Sequence, residues 1–96
     1  MFLSETTRAM VRLPDIKSVK EFVELTNRSS VPADLISDRY VVDARSIMGI
    51  FSLDLSKSIE LRIRAKGKEA DEMLESVKKF VTDEKVPEPK DPYEKA

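Results

Sequence analysis

The sequence predicts an α+β domain: an open-faced two-layer sandwich in which a four-stranded antiparallel sheet carries three helices on one face, in the order βαββαβα. Three observations lead there. Each strand-like stretch alternates apolar with polar residues, so it offers one face to a core and one to water. Each helix-like stretch carries a single apolar stripe. Ninety-six residues, 41% of them apolar, support one modest core and no second. A sheet covered on one side by every helix and open on the other satisfies all three.

The elements follow in order. Between Thr6 and Leu13, the residues Thr7, Ala9, Val11 and Leu13 alternate with Thr6, Arg8, Met10 and Arg12, a strand whose second face bears two arginines. Pro14 and Asp15 end it. Ile16, Val19, Phe22, Val23 and Thr26 recur at steps of three or four and predict an amphipathic helix, with Lys17, Lys20, Glu21 and Glu24 outside the stripe. Two starts compete: Asp15 as cap, or Ser18 with Glu21 closing a capping box. Asn27 to Ser30 suits the exit, and Pro32 bars continuation. Ala33, Leu35 and Ser37, then Tyr40, Val42 and Ala44 beyond an Asp38-Arg39 turn, share one face of a hairpin.

Ser46 followed by Ile47, Met48, Gly49, Ile50 and Phe51 reads as the N-cap and body of a short helix. Ile59, Leu61, Ile63 and Ala65 alternate with Glu60, Arg62, Arg64 and Lys66 in the clearest strand of the chain, which Gly67 ends. Glu69, Asp71 and Glu72 then open a longer helix at its favoured end; Ala70, Met73, Leu74, Val77, Phe80 and Val81 form its stripe, and Lys78 and Lys79 close it. Residues 1–82 are expected to form the domain. Residues 83–96, with Pro87, Pro89 and Pro92 among charges, are expected to be a mobile tail.

Composition excludes several chemistries. Seventeen basic and eighteen acidic residues leave a net charge of -1, so bulk charge does not favour nucleic acid. No cysteine and no histidine are present, which removes thiolate nucleophiles, the commonest metal ligand and the commonest general base near neutral pH. No spacing of carboxylates and lysines gathers them around a pocket, so an enzyme is the least supported class, and neither a metal nor a cofactor is expected. The Met1-Phe2-Leu3 start is too short for a signal peptide or membrane span, and a soluble cytoplasmic protein is expected.

The stretch Ser46-Ile47-Met48-Gly49-Ile50-Phe51-Ser52-Leu53, followed by Lys57, by Glu60-Leu61-Arg62-Ile63, by Ala65 and Gly67, and by an acidic helix start, resembles the HPr family. These proteins are the histidine-containing phosphocarriers of the bacterial sugar phosphotransferase system. The resemblance is specific from about Arg45 to Val81, weaker from Ile16 to Ala44, and absent from the tail. It implies the same open-faced sandwich. It also implies a phosphoryl-bearing histidine just before the first helix, where this chain has Leu13-Pro14-Asp15-Ile16-Lys17-Ser18 and neither the histidine nor the arginine and proline that accompany it. Carriage of phosphohistidine is therefore not expected. Asp15 is read as a cap, since an acyl phosphate would need further carboxylates holding Mg²⁺ beside it.

The family's second site does match. The resemblance implies that Ser46 is a regulatory phosphorylation site, that Ile47, Met48 and Phe51 dock protein partners, and that HPr kinase or a transcriptional regulator is among those partners. Arg45 could pair with a phosphate on Ser46. Each residue has a plainer reading: Ser46 as a cap, its apolar neighbours as core. Asp54 stands where the family usually has glycine and is expected to disfavour docking there. Lys17, Ser18 and Arg45 are candidates for an anion site. A rival function comes from the open sheet face, where Arg8, Arg12, Arg62 and Arg64 could bind an anion or RNA, although only Met10 interleaves them and Glu60, Asp34 and Asp43 are placed to neutralise them. A monomer or weak homodimer is expected.

Overall fold

The structure, a computed structural model, describes residues 6–86. Its elements are β1 (Thr7–Val11), α1 (Ile16–Arg28), β2 (Ala33–Ser37), β3 (Tyr40–Asp43), α2 (Ile47–Phe51), β4 (Ile59–Ile63) and α3 (Lys68–Ser76), followed by a 3₁₀ turn at Lys78–Phe80. The four strands make one antiparallel sheet in the order β1-β4-β2-β3.

Register follows from the alternation. Ala9 lies opposite Leu61, which lies opposite Leu35, and Leu35 lies opposite Val42. One face of the sheet thus stacks apolar side chains across all four strands, and that face carries the helices. Val11, Leu35, Ile59, Leu61 and Ile63 meet Val19 and Phe22 of α1, Ile50 of α2, and Ala70 and Met73 of α3 in a single core. Phe22 and Phe80 pack edge to face with ring centroids 5.8 Å apart.

The helix start is settled in favour of Asp15, whose carboxylate accepts the Ser18 N–H at 2.8 Å. The hairpin has the expected two-residue turn, with Ser37 opposite Tyr40 and Asp38 at positive φ.

Several residues depart from the sequence expectation. Ile16, the first residue of α1, is exposed, and the helix's buried stripe starts at Val19. Tyr40, on the face shared with Leu35, is also exposed, at the turn end of β3, the edge strand of the sheet. Met10, on the arginine face, is buried. Its strand is flanked by the chain leaving the 3₁₀ turn: Arg12 donates its N–H to Phe80, Thr82 donates to Met10, and Val11 bridges Val81. The same contacts explain why the last helix, longer than α2 as expected, stops short of the stripe that the sequence extends to Val81: it spans Lys68–Ser76, and the chain then tightens into the 3₁₀ turn. A continued helix would carry residues 80–82 away from β1 instead of along its edge.

The expected boundary at residue 82 falls near this strand pairing. Within the expected tail, Glu84 accepts the Ser58 hydroxyl at 2.8 Å. The proline-bearing residues 87–96, like the first five, lie outside the described residues.

Candidate functional site

The turn between β3 and α2 is held from three sides. Ala44 donates its N–H to Ala33 at 2.9 Å, extending the hairpin ladder by one residue. Thr26, buried in α1, donates its hydroxyl to the Ala44 carbonyl at 2.8 Å, and Asn27 reaches the Arg45 carbonyl at 3.4 Å. Ser46 then donates its N–H to Asp43. These bonds fix where α2 begins.

Ser46 has extended backbone, φ -101° and ψ 106°, and its Oγ accepts the Gly49 N–H at 3.1 Å. It is the N-cap predicted from the sequence. Gly49 is required by close approach: a Cβ there would sit 3.1 Å from both Ser46 Oγ and Val42 Cβ. Ile50 points into the core and Ile47 is partly buried against it. Met48 and Phe51 remain 77% and 40% exposed. The three residues expected to dock partners are therefore divided, with Ile47 largely structural and Met48 most open to solvent.

Beside Ser46, the Asp43 carboxylate accepts the Arg45 N–H at 2.8 Å and its guanidinium at 3.2 and 3.3 Å. The guanidinium, then the backbone N–H, hold the Asp43 carboxyl below its ordinary range, with Arg64 adding to the effect. Arg45 is held correspondingly above its own by Asp43. Asp54 is engaged in the turn toward β4, accepting the Ser56 hydroxyl at 2.6 Å and its N–H at 3.1 Å; these bonds lower its carboxyl.

Lys17, Ser18 and Arg45 do not converge. Lys17 and Ser18 belong to the first turn of α1, where the Ser18 N–H is taken by Asp15. Arg45 lies against Asn27 in the last turn, so about 15 Å of helix separates the two. Instead, Lys17, Lys20, Glu24 and Asn27 line a shallow groove that runs along α1 and reaches Ile47 of α2. From the sequence, Lys17, Lys20 and Glu24 are only placed outside the apolar stripe, with Lys17 a candidate for an anion site, and no groove is expected there. Its signal is visible only once Thr26 and Asn27 bind the α2 turn and bring the two helices together.

On the open face, Arg8 and Arg62, directly opposite each other, both converge on Glu60, at 2.8 and 2.9 Å. Glu60 is only 7% exposed. Burial raises its carboxyl, but the hydrogen bonds and charges of Arg8 and Arg62 outweigh this and leave it below the ordinary value. Arg64 binds Asp34 in a fork at 2.8 to 3.0 Å, and Arg12 reaches the Ser56 carbonyl at 3.4 Å. Three of the four arginines thus already hold carboxylates.

Residues 16–83 match the family described as the PTS HPr component phosphorylation site. The chain belongs to the HPr family. The match begins at Ile16, the first residue of α1, immediately after Asp15. HPr-like protein Crh of Bacillus subtilis (strain 168) is 36% identical over 63 residues, which are 66% of this chain and 74% of that protein. Among solved structures, a phosphocarrier protein HPr from Bacillus anthracis str. Ames is 27% identical with a TM-score of 0.62, covering 84% of this chain and all of that one. HPr-C-His from Thermoanaerobacter tengcongensis, at 22% identity, shares the fold with a TM-score of 0.60 over 78% of this chain and 88% of its own. HPr-family proteins are phosphocarriers rather than catalytic enzymes. This one has no histidine in its 96 residues, and Asp15, the residue before the matched stretch, caps α1. Among the described residues, no helix is long and apolar enough to cross a membrane, and no group of three acidic residues gathers that could hold a metal ion.

Proposed function

We propose that this HPr-family protein acts as a regulatory interaction module of the phosphotransferase system, does not carry phosphohistidine, works in the cytoplasm, and docks protein partners through α2. The observation that carries this reading is the pairing of a half-exposed Ser46 cap with exposed Met48 and Phe51 on one short helix, beside the charged groove of α1. An apolar pair set among charges has the composition of a small docking patch with a polar rim.

Phosphorylation of Ser46 is the regulation this patch accommodates. A phosphate on Oγ stays at the amino end of α2, where the Gly49 N–H already points and where the helix dipole favours negative charge. Arg45 is adjacent, and Asp43 is the group with which the phosphate would compete for it. The kinase and a transcriptional regulator are the partners the family suggests.

The test uses two incubations. With HPr kinase and ATP, label is expected on Ser46 and absent from Ser46→Ala. With Enzyme I and phosphoenolpyruvate, no label is expected. An unlabelled Ser46 removes the regulatory half of the reading, and transfer from phosphoenolpyruvate overturns the other half. The arginine face is less favoured as a ligand site, because Arg8, Arg62 and Arg64 have carboxylate partners.

A further inference from the structure

The two edges of the sheet are treated differently. Beside β1, residues 80–82 occupy the edge: Phe80 accepts from Arg12, Val81 bridges Val11, and Thr82 donates to Met10. Among the described residues, no strand lies beside β3 at the other edge. Its Tyr40 and Val41 are 64% and 61% exposed. An uncovered edge bearing an aromatic and a β-branched residue is a template for another strand.

The backbone parity of β3 can be read from the ladder. Ala44 donates to Ala33, so Ala33 and Ala44 form a hydrogen-bonded pair, and by alternation so do Leu35 with Val42 and Ser37 with Tyr40. Val41 and Asp43 therefore direct their N–H and C=O groups away from β2, toward the open edge. The Ser46 N–H bond to the Asp43 carbonyl confirms this sense and consumes that one acceptor. Both groups of Val41 and the N–H of Asp43 remain for a neighbour.

From this geometry we propose that β3 is a self-association edge, at which two copies of the chain pair antiparallel about a two-fold axis through Val41. Same-face alternation restricts the register, and pairing Val41 with its copy uses its outward N–H and C=O twice over. Tyr40 then lies beside the copy's Val42. Arg39 lies opposite the copy's Asp43. Arg39 makes no ion pair among the described residues. Asp43 faces Asp34 across the hairpin, and although Arg45 and Arg64 already pair with them, Asp43 stays exposed, so the copy's Arg39 adds a second cation to it from the open side. Charges on a sheet edge normally repel copies, but here the register that uses the free backbone groups also sets opposite charges against each other twice. The edge is four residues long, so the contact is small, and the dimer is weak and concentration-dependent.

Sedimentation equilibrium of the full chain from roughly 10 μM to 2 mM covers the range in which a contact this small associates. The proposal expects reversible dimerisation that weakens at high salt, with amide exchange at Val41 slowed as concentration rises. Val41→Pro removes an outward N–H and no bond to β2, so the monomer should fold while association falls about tenfold or more. Arg39→Glu, on the exposed turn, should do the same without touching the strand, so the proposal remains testable if the proline variant does not fold. A chain that stays monomeric throughout overturns it. So does a dimer that both variants form with unchanged affinity.

Discussion

Removing the Glu60 side chain tests whether the open face is an organised ion cluster or merely a charged surface. In Glu60→Ala, Arg8 and Arg62 lose their shared carboxylate and are left opposite each other in register. Their side chains are 24% and 35% exposed, so both guanidiniums keep some access to water. Breaking a fully buried pair costs about 3–5 kcal/mol, whereas exposed pairs contribute about 0–1 kcal/mol. With a buried carboxylate and partly hydrated arginines, the expected loss is about 2 kcal/mol, which in a domain of this size lowers Tm by about 8–16 °C. Urea unfolding followed by circular dichroism reads the loss, with the slope against urea expected to stay constant. The pH dependence supplies the sign. Against the opposing effect of burial, Arg8 and Arg62 hold Glu60 below the ordinary carboxyl value of 4.5, so its stabilisation is fully present above that value and is lost as pH falls through the lower folded one. The difference between the native chain and Glu60→Gln should therefore be flat from neutral pH to about 5 and shrink below about 4. A loss below about 0.5 kcal/mol, or a difference unchanged at acid pH, would refute the cluster as a stabilising unit.

Ser46→Ala removes the cap of α2 and should cost about 1 kcal/mol in the same urea assay, apart from any effect on labelling. Gly49→Ala places a methyl 3.1 Å from Val42 and should lose about 1–2 kcal/mol despite alanine's better helix propensity. Met48→Ala should change stability by less than about 0.5 kcal/mol, because Met48 is exposed, while partner capture drops in a pull-down. Thr26→Val keeps the volume but leaves the Ala44 carbonyl without its buried donor, a loss of about 1–2 kcal/mol measurable by thermal unfolding.

The element order, the two-layer arrangement and the Ser46 cap were legible because each rests on local pattern. Period-two alternation assigns strand faces, a stripe assigns a helix, and a hydroxyl before an apolar run assigns a cap. What escaped was coverage. Met10 and Val41 both lie on the face away from the helices, yet Met10 is buried and Val41 exposed. The difference arises from residues 80–82, which run along β1 and leave β3 bare, a relation between segments about seventy residues apart. The docking surface follows the same rule. Ile47, Met48 and Phe51 read alike as apolar neighbours, and their fates separate only when Thr26 and Asn27 draw the end of α1 onto the α2 turn. Thr26 looked like the polar end of an apolar stripe, and its position among buried residues gave no hint that its hydroxyl donates across to Ala44. The sequence pattern shows which side chains share a face, but exposure is decided by whether another segment reaches that face. For this chain, two places that no described segment covers are the Met48–Phe51 surface and the β3 edge, and its binding properties can be tested on them separately.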